Sequence, residues 1–430
     1  MPTPEQLEIQ PSGPIHAVVR PPGSKSITNR ALVCAALAEG RSILTGILDS
    51  EDTRVMFEAL GQLGIPLSLD PQARVITVTG CAGKLPAQRG EIYVANSGTT
   101  ARFLAAVLAL GKGTYRLDGS ERMRERPIQD LIDALRQLGA GVESALDTGC
   151  PPLLVRASGL RGGRATLRGS ISSQFLSGLL LAAPYAQETV EIEIEGPLVS
   201  QPYVSMTTAV MAAFGVEVES RDLRSFRIRA PQMYRAREYD IEPDASAASY
   251  FFAAAAITEG EVTVEGLSRE SLQGDVAFVD VLAQMGCDVR FEPNAITVRG
   301  GRLRGVAVDM NAISDTVQTL AAVSLFAEGP TTVTGVGHIR HKETDRIGDL
   351  ATELRKLGAR VDERDDGLTI NPANLRPAAI ATYNDHRMAM SLALVGLRVP
   401  GVVILDPGCT VKTYPEYFHD LASIITPLAS

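Results

Sequence analysis

Six stretches of the chain repeat one arrangement of apolar and polar positions: a short polar loop, an Ala- and Leu-rich run with helical spacing, a glycine, then a β-rich run. They begin at Lys25 (KSITNRALVCAALAEG), Thr99, Ser172, Ala245, Asp315 and Asp385, and successive starts lie 74, 73, 73, 70 and 70 residues apart. A second marker keeps the same period. An amphipathic helix pattern stops at a glycine before a strand, with Gly64, Gly139, Gly215, Gly286 and Gly358 spaced 75, 76, 71 and 72 apart. Six units of about 72 residues account for the 430 positions, so the chain reads as a sixfold α/β repeat. The first helix of each unit is apolar nearly all round, which predicts burial; the second, LATELRKL at 350–357 for instance, has one apolar face. Strands such as VEIEIEG (190–196) and VEVES (216–220) alternate in polarity and predict sheets with one solvated face. Three buried helices wrapped by sheet and outer helices in each half is the predicted layering.

Length alone allows two or three domains, and the repeat resolves this as two groups of three. Residues 7–20 read as a hairpin, LEIQ and IHAVVR about a PSGP turn. The sixth unit ends without the hairpin that closes the others, so the N-terminal one is expected to complete it. One domain is then 21–239 and the other is 1–20 with 240–430, joined by two crossings that make a hinge and a cleft, the usual home of a ligand. The chain has 45% apolar residues, 39 Gly and no Trp, ample for a core. A net charge of −9, from 41 Lys and Arg against 50 Asp and Glu, argues against nucleic acid and anionic membrane as partners. Five widely spaced cysteines without a CxxC favour buried thiols in a reducing compartment, and no secretory leader or bilayer-length apolar run is expected.

Against that acidic background, cations recur where they oppose the local field, at the starts of helices. Lys25 and Arg30 open the first helix, and Arg126 precedes Pro127, expected as the first helical residue. Lys342 and Arg346 flank a cap at Thr344 or Asp345, Arg387 follows a cap at Asn384 or Asp385, and Lys412 precedes Pro415. One such charge is ordinarily a solvated surface group, but solvated charges have no reason to follow the repeat. Helix N-termini already bind anions, so added Lys and Arg predict a small ligand with several negative charges. The split of these cations between the halves predicts mutual repulsion without ligand and closure with it. The same loops carry Ser172, Ser173 and Gln174, and Asn96 with Gly98, where a ligand can approach the backbone closely. Asp315 reads either as an N-cap or as a base, and Glu343, between Lys342 and Arg346, as a counter-charge or a proton carrier. GSKS lacks the P-loop spacing, and GVGHIR (335–340) is not a dinucleotide fingerprint. His338 and His341 interleave with Arg340 and Lys342, which would repel a cation, so no metal and no cofactor is expected.

GSKSITNR (23–30), NSGTTAR (96–102), RMRERP (122–127), SSQF (172–175), SQPY (200–203), HKETDR (341–346), NDHRMAM (384–390) and CTVKTYPEYF (409–418) follow one another in the order found in the 3-phosphoshikimate 1-carboxyvinyltransferase (EPSP synthase) family, which the chain resembles over essentially its whole length. The resemblance implies a two-domain inside-out α/β barrel of six βαβαββ units, three per domain, with the active site between the domains. It implies transfer of the enolpyruvyl group of phosphoenolpyruvate to the 5-hydroxyl of shikimate 3-phosphate in a cytoplasmic monomer. Carried over by motif, the shikimate 3-phosphate contacts are Lys25, Ser26, Arg30, Ser172, Ser173, Gln174, Ser200, Tyr203, Asp315, Lys342 and His338, the last standing where the family commonly has Asn. The phosphoenolpyruvate contacts are Lys25, Asn96, Gly98, Arg126, Gln174, Arg346, Arg387 and Lys412. Asp315, Glu343 and Lys25 are the implied catalytic groups. Gly98 suggests glyphosate binding, with Phe103 where the family often has Pro. The related transferase acting on UDP-N-acetylglucosamine is the alternative; it usually carries a reactive Cys in the loop that here reads SERMRERP.

Overall fold

The computed structural model describes residues 4–427. Contacts divide the chain into two compact units: one spans Gly23–Ile241, and the other joins the segment ending at Pro22 to the segment beginning at Glu242. Each has its own core.

In the unit 23–241 there are three four-stranded sheets, and all three have one plan. Arg89–Tyr93 pairs in parallel with Lys112–Asp118, which pairs antiparallel with Leu153–Ser158, which pairs antiparallel with Gly141–Ser144. Gly163–Arg168 opens the next sheet in the same way against Val190–Glu195. The strand Glu238–Asp240 returns to the start and opens the sheet of Glu39–Thr45. In the two parallel pairs formed by consecutive strands a helix lies between them in the chain, as a parallel crossover requires, whereas Glu238–Asp240 reaches Glu39–Thr45 only after the rest of the unit has intervened. The other unit repeats the plan in two four-stranded sheets, opened by His16–Val19 against Glu261–Glu265 and by Ala307–Asp309 against Thr331–Thr334, while among the described residues the sheet that Ala379–Ile380 opens against Val403–Leu405 has three strands.

The expected N-terminal hairpin does not form. Gln6–Glu8 pairs antiparallel with Val403–Leu405 and does complete the sixth unit, but His16–Val19 goes to the fourth unit's sheet. The connector is docked instead of turning back on itself. Ile9 and Ile15 are buried, the Ser12 amide donates to the Leu397 carbonyl at 2.8 Å, and the Gly13 amide donates to the Thr426 carbonyl at 2.9 Å. Two proline-flanked backbone donors satisfied this way hold the two strands apart. VEVES is likewise strand only from Glu219, in Glu219–Arg221.

The layering follows the apolar pattern. In Gly98–Leu108, Ala245–Thr258, Val317–Ser324 and His386–Gly396 every residue is buried, and in Lys25–Leu37 every residue from Ile27 on. The outer helix Gly348–Lys356 buries only Leu350, Ala351, Glu353 and Leu354. Each fully buried Leu or Val on an inner helix contributes about 1.5–3 kcal/mol. Small hydroxyls let the inner helices meet: Ser249, Thr319 and Ser391 form a buried chain of hydrogen bonds at 3.1 and 3.2 Å. Packing therefore fixes the inner helices, and with them the loops at their N-terminal ends.

Candidate active site

The first inner helix of the unit 23–241 is capped by Ser24, whose hydroxyl accepts the Ile27 amide, so Lys25 is its first residue. Lys25 Nζ lies 3.7 Å from the buried carboxylate of Asp52, at the start of the next helix. Arg30, one turn further, is 2% exposed. Its Nε donates to Thr207 Oγ1 at 2.7 Å, Nη1 to the Ser26 carbonyl at 2.8 Å and Nη2 to the Tyr203 carbonyl at 3.1 Å. The guanidinium lies over the Phe103 ring at 5.2 Å, and burial lowers its pKa to about 10. Tyr203 follows Ser200, a buried residue in the left-handed region (φ 51°) ahead of the helix Gln201–Ala213.

Arg126 is held by Asn96, its Nη1 donating to both the carbonyl and Oδ1 at 3.1 Å. It has extended backbone, as the residue before a proline should, and the helix begins at Gln129, not at Pro127. Gly98 opens its helix directly beneath this guanidinium, where a Cβ would stand 2.5 Å from Nη2. Ser172 caps the third inner helix by accepting the Gln174 amide, Ser173 is its first residue, and the Gln174 amide side chain donates to Thr99 Oγ1 at 3.3 Å. Arg30 thus joins Ser26 to Tyr203, whose amide donates to the Ser200 carbonyl, while Lys25 pairs with Asp52; Arg126 joins Asn96 to Gly98, and Gln174, beside Ser172 and Ser173, reaches the neighbouring Thr99.

In the second unit the predicted residues make a single cluster. Asp315 does not cap a helix; it lies in the 3-10 turn Asn311–Thr316, and its carboxylate meets three cations. Lys342 Nζ is 2.5 Å from Oδ1, Arg346 Nη1 3.3 Å from Oδ1 and Arg387 Nη2 2.7 Å from Oδ2. Arg346 also reaches Glu343 at 2.8 Å, and Glu343 is 3.8 Å from Lys412 Nζ. The helix after HKETDR begins at Gly348, with Asp345 Oδ1 accepting the Ile347 and Gly348 amides, while Asp385 caps His386–Gly396. Burial works against the charge on Arg346, but Asp385, Glu343 and Asp315 together hold its pKa above the ordinary value. Burial, with Arg346 and Arg387 nearby, lowers that of Lys342 although Asp315 opposes it. Burial first, and then the Lys342 cation, push His338 down to about 3, so its ring is neutral, with Nε2 3.2 Å from Ser314 Oγ.

Three acids escape the charge pattern. Asp385 pairs with Arg346 through both oxygens at 2.7 and 3.1 Å. Asp52 faces Lys25, and Asp275, which accepts the Ser246 hydroxyl, is pushed up to about 6 by burial and by Asp315. All three sit at or just before helix starts, where an acid is the expected residue and attracts no notice. Among the described residues no group of three or more His, Cys, Asp or Glu side chains is placed to hold a metal ion, and no helix is long and apolar enough to cross a membrane.

Comparison with known proteins gives this geometry its context. The family profile described as EPSP synthase (3-phosphoshikimate 1-carboxyvinyltransferase) matches residues 9–421. The 3-phosphoshikimate 1-carboxyvinyltransferase of Nostoc punctiforme is 51% identical over 406 residues, covering 94% of this chain and 95% of its own. That of Serratia proteamaculans is 48% identical over 423 residues, covering 98% and 99%. The structure of EPSP synthase from Acinetobacter baumannii superposes with a TM-score of 0.83 at 25% identity, covering 98% of each chain. A full-length match of profile, sequence and fold leaves one conclusion, that this chain belongs to the 3-phosphoshikimate 1-carboxyvinyltransferase (EPSP synthase) family.

Proposed function

We propose that the residue groups of the two units are halves of one active site in an interdomain cleft, taking shikimate 3-phosphate and phosphoenolpyruvate together. The enzyme transfers the enolpyruvyl group of phosphoenolpyruvate to the 5-hydroxyl of shikimate 3-phosphate, releasing phosphate. What supports the single-site reading is the family match across residues 9–421, which spans both units; within the second unit the Asp315 carboxylate is gripped by Lys342, Arg346 and Arg387 from two further chain segments. Without substrate, Asp315 and Glu343 stand in for ligand anions. An arriving phosphate or carboxylate competes for the same donors, and every cation it takes leaves a carboxylate more basic and better able to carry a proton.

In the reaction, Asp315 accepts the proton of the attacking 5-hydroxyl as its oxygen bonds to C2 of phosphoenolpyruvate, and Glu343 gives a proton to the C3 methylene. The tetrahedral adduct then loses phosphate as the Glu343 carboxylate takes a proton back from C3, which restores the enol ether double bond. Lys25, Arg126, Arg346, Arg387 and Lys412 hold phosphoenolpyruvate and stabilise the charge that develops on the leaving phosphate. Lys25, Ser26, Arg30, Ser172, Ser173, Gln174, Ser200, Tyr203, Lys342 and the neutral His338 hold shikimate 3-phosphate. The enzyme acts as a cytoplasmic monomer. Phosphate release should require both substrates. Asp315→Ala and Lys25→Ala, one in each unit, should each reduce it at least about 100-fold, with phosphoenolpyruvate binding still measurable in Asp315→Ala. Undiminished turnover in either variant would remove the single-site reading.

A further inference from the structure

The turn that delivers Asp385 and Arg387 is strained. Tyr383 and Asn384 both have left-handed backbone, with φ of 54° and 52°. Asn tolerates that region through its short polar side chain, but Tyr does not, and such a residue persists only where its surroundings over-determine it. Here the determinant is Glu353, a fully buried carboxylate on the outer helix Gly348–Lys356. Its Oε1 accepts the Tyr383 hydroxyl at 2.7 Å and its Oε2 accepts the Ala381 amide at 3.1 Å, while Lys356 Nζ reaches both oxygens at 2.8 and 2.9 Å. The Thr382 carbonyl then accepts the Asp385 amide at 2.8 Å, closing the turn.

The same two segments are tied a second time. Arg346, two residues before that outer helix, grips Asp385, and Asp385 Oδ1 accepts the Arg387 amide at 2.8 Å. A closed ring results: Arg346, along the helix to Glu353, across to Tyr383, along the turn to Asp385, and back to Arg346. Two cross-links fix the turn against the helix in a way one cannot, since a single link leaves rotation about itself. The Arg346 and Arg387 guanidinium groups both hang from this ring.

We propose that Glu353 and Tyr383 are positioning residues for phosphoenolpyruvate, holding the turn 381–385 in its strained form so that Arg346 and Arg387 present their donors in a fixed arrangement. This rests on the reading above that Arg346 and Arg387 receive phosphoenolpyruvate. Loss of the Tyr383 hydroxyl lets the turn relax, and a shift of about 1 Å in two guanidinium groups is enough to weaken a geometry-dependent contact severely.

The test is a steady-state comparison of the full-length enzyme with Tyr383→Phe, Glu353→Gln and Arg346→Lys. Tyr383→Phe, which keeps the ring and its packing, should raise KM for phosphoenolpyruvate about tenfold and KM for shikimate 3-phosphate less than about twofold. Glu353→Gln should follow the same pattern. A KM for phosphoenolpyruvate unchanged in Tyr383→Phe but raised in Arg346→Lys overturns the positioning role alone. Both constants rising together with a lowered melting temperature also overturns it, because general loosening explains that result. If Arg346→Lys itself leaves phosphoenolpyruvate unaffected, the site reading and the positioning role fall together.

Discussion

Gly98 has helical backbone with no need of positive φ, so its lack of a side chain answers a steric demand made by Arg126. Arg126 is only 5% exposed as a residue, and its guanidinium is pinned by two hydrogen bonds to Asn96, so it cannot swing aside without giving them up. Gly98→Ala puts a methyl carbon 2.5 Å from Nη2 and 3.0 Å from Cζ, well inside van der Waals contact. The expected outcome is a KM for phosphoenolpyruvate raised about tenfold or more with little loss of thermal stability; an unchanged KM would refute the role given to Arg126. Residues of this kind were legible in the sequence, because a cation placed against a helix dipole breaks a local rule and the breach repeats with the fold. Arg30 was legible as a cation but not as a buried one. Its burial depends on Thr207, Tyr203 and Phe103, distant positions that no sequence pattern ties to Arg30.

At the level of elements, the inner helices could be read from their apolar sequences because burial on all sides leaves no polar face. Their starts were harder to place. Pro127 was expected to open a helix that begins at Gln129, and Asp315 lies in a 3-10 turn ahead of Val317–Ser324; tertiary contacts hold these segments, hydrogen bonds from Arg126 to Asn96 in the first and ion pairs to Asp315 in the second. Asp385 shows the opposite economy, serving at once as N-cap of His386–Gly396 and as bidentate partner of the almost fully buried Arg346. Asp385→Ala removes the cap and strips Arg346 of one of its three carboxylates. The expected cost is about 3–5 kcal/mol, the range for breaking a buried ion pair from one side. Denaturant unfolding of the full-length variant measures it, and a loss under about 1 kcal/mol would show that Glu343 and Asp315 suffice for Arg346.

For the molecule as a whole, the repeat period disclosed the six units and the discontinuity of one half, whereas the fate of the first twenty residues was hidden. A period identifies equivalent positions; it does not say which sheet a lone strand joins when two edges are open to it. Gln6–Glu8 and His16–Val19 resolve that by going to different sheets of the same unit. The arrangement dictates an order of manufacture. A ribosome releases these two strands before the unit Gly23–Ile241, but their partners Glu261–Glu265 and Val403–Leu405 emerge only after the whole of that unit has been made. The leading segment must therefore wait unpaired while the middle of the chain folds ahead of it. A fragment of residues 23–241 should accordingly be soluble and cooperative by itself. Residues 242–430 should aggregate through their vacant sheet edges and be rescued by co-expression of residues 1–22, as sedimentation of the expressed fragments would reveal. The segment ending at Pro22 therefore owes its place in the fold to strands made hundreds of residues later.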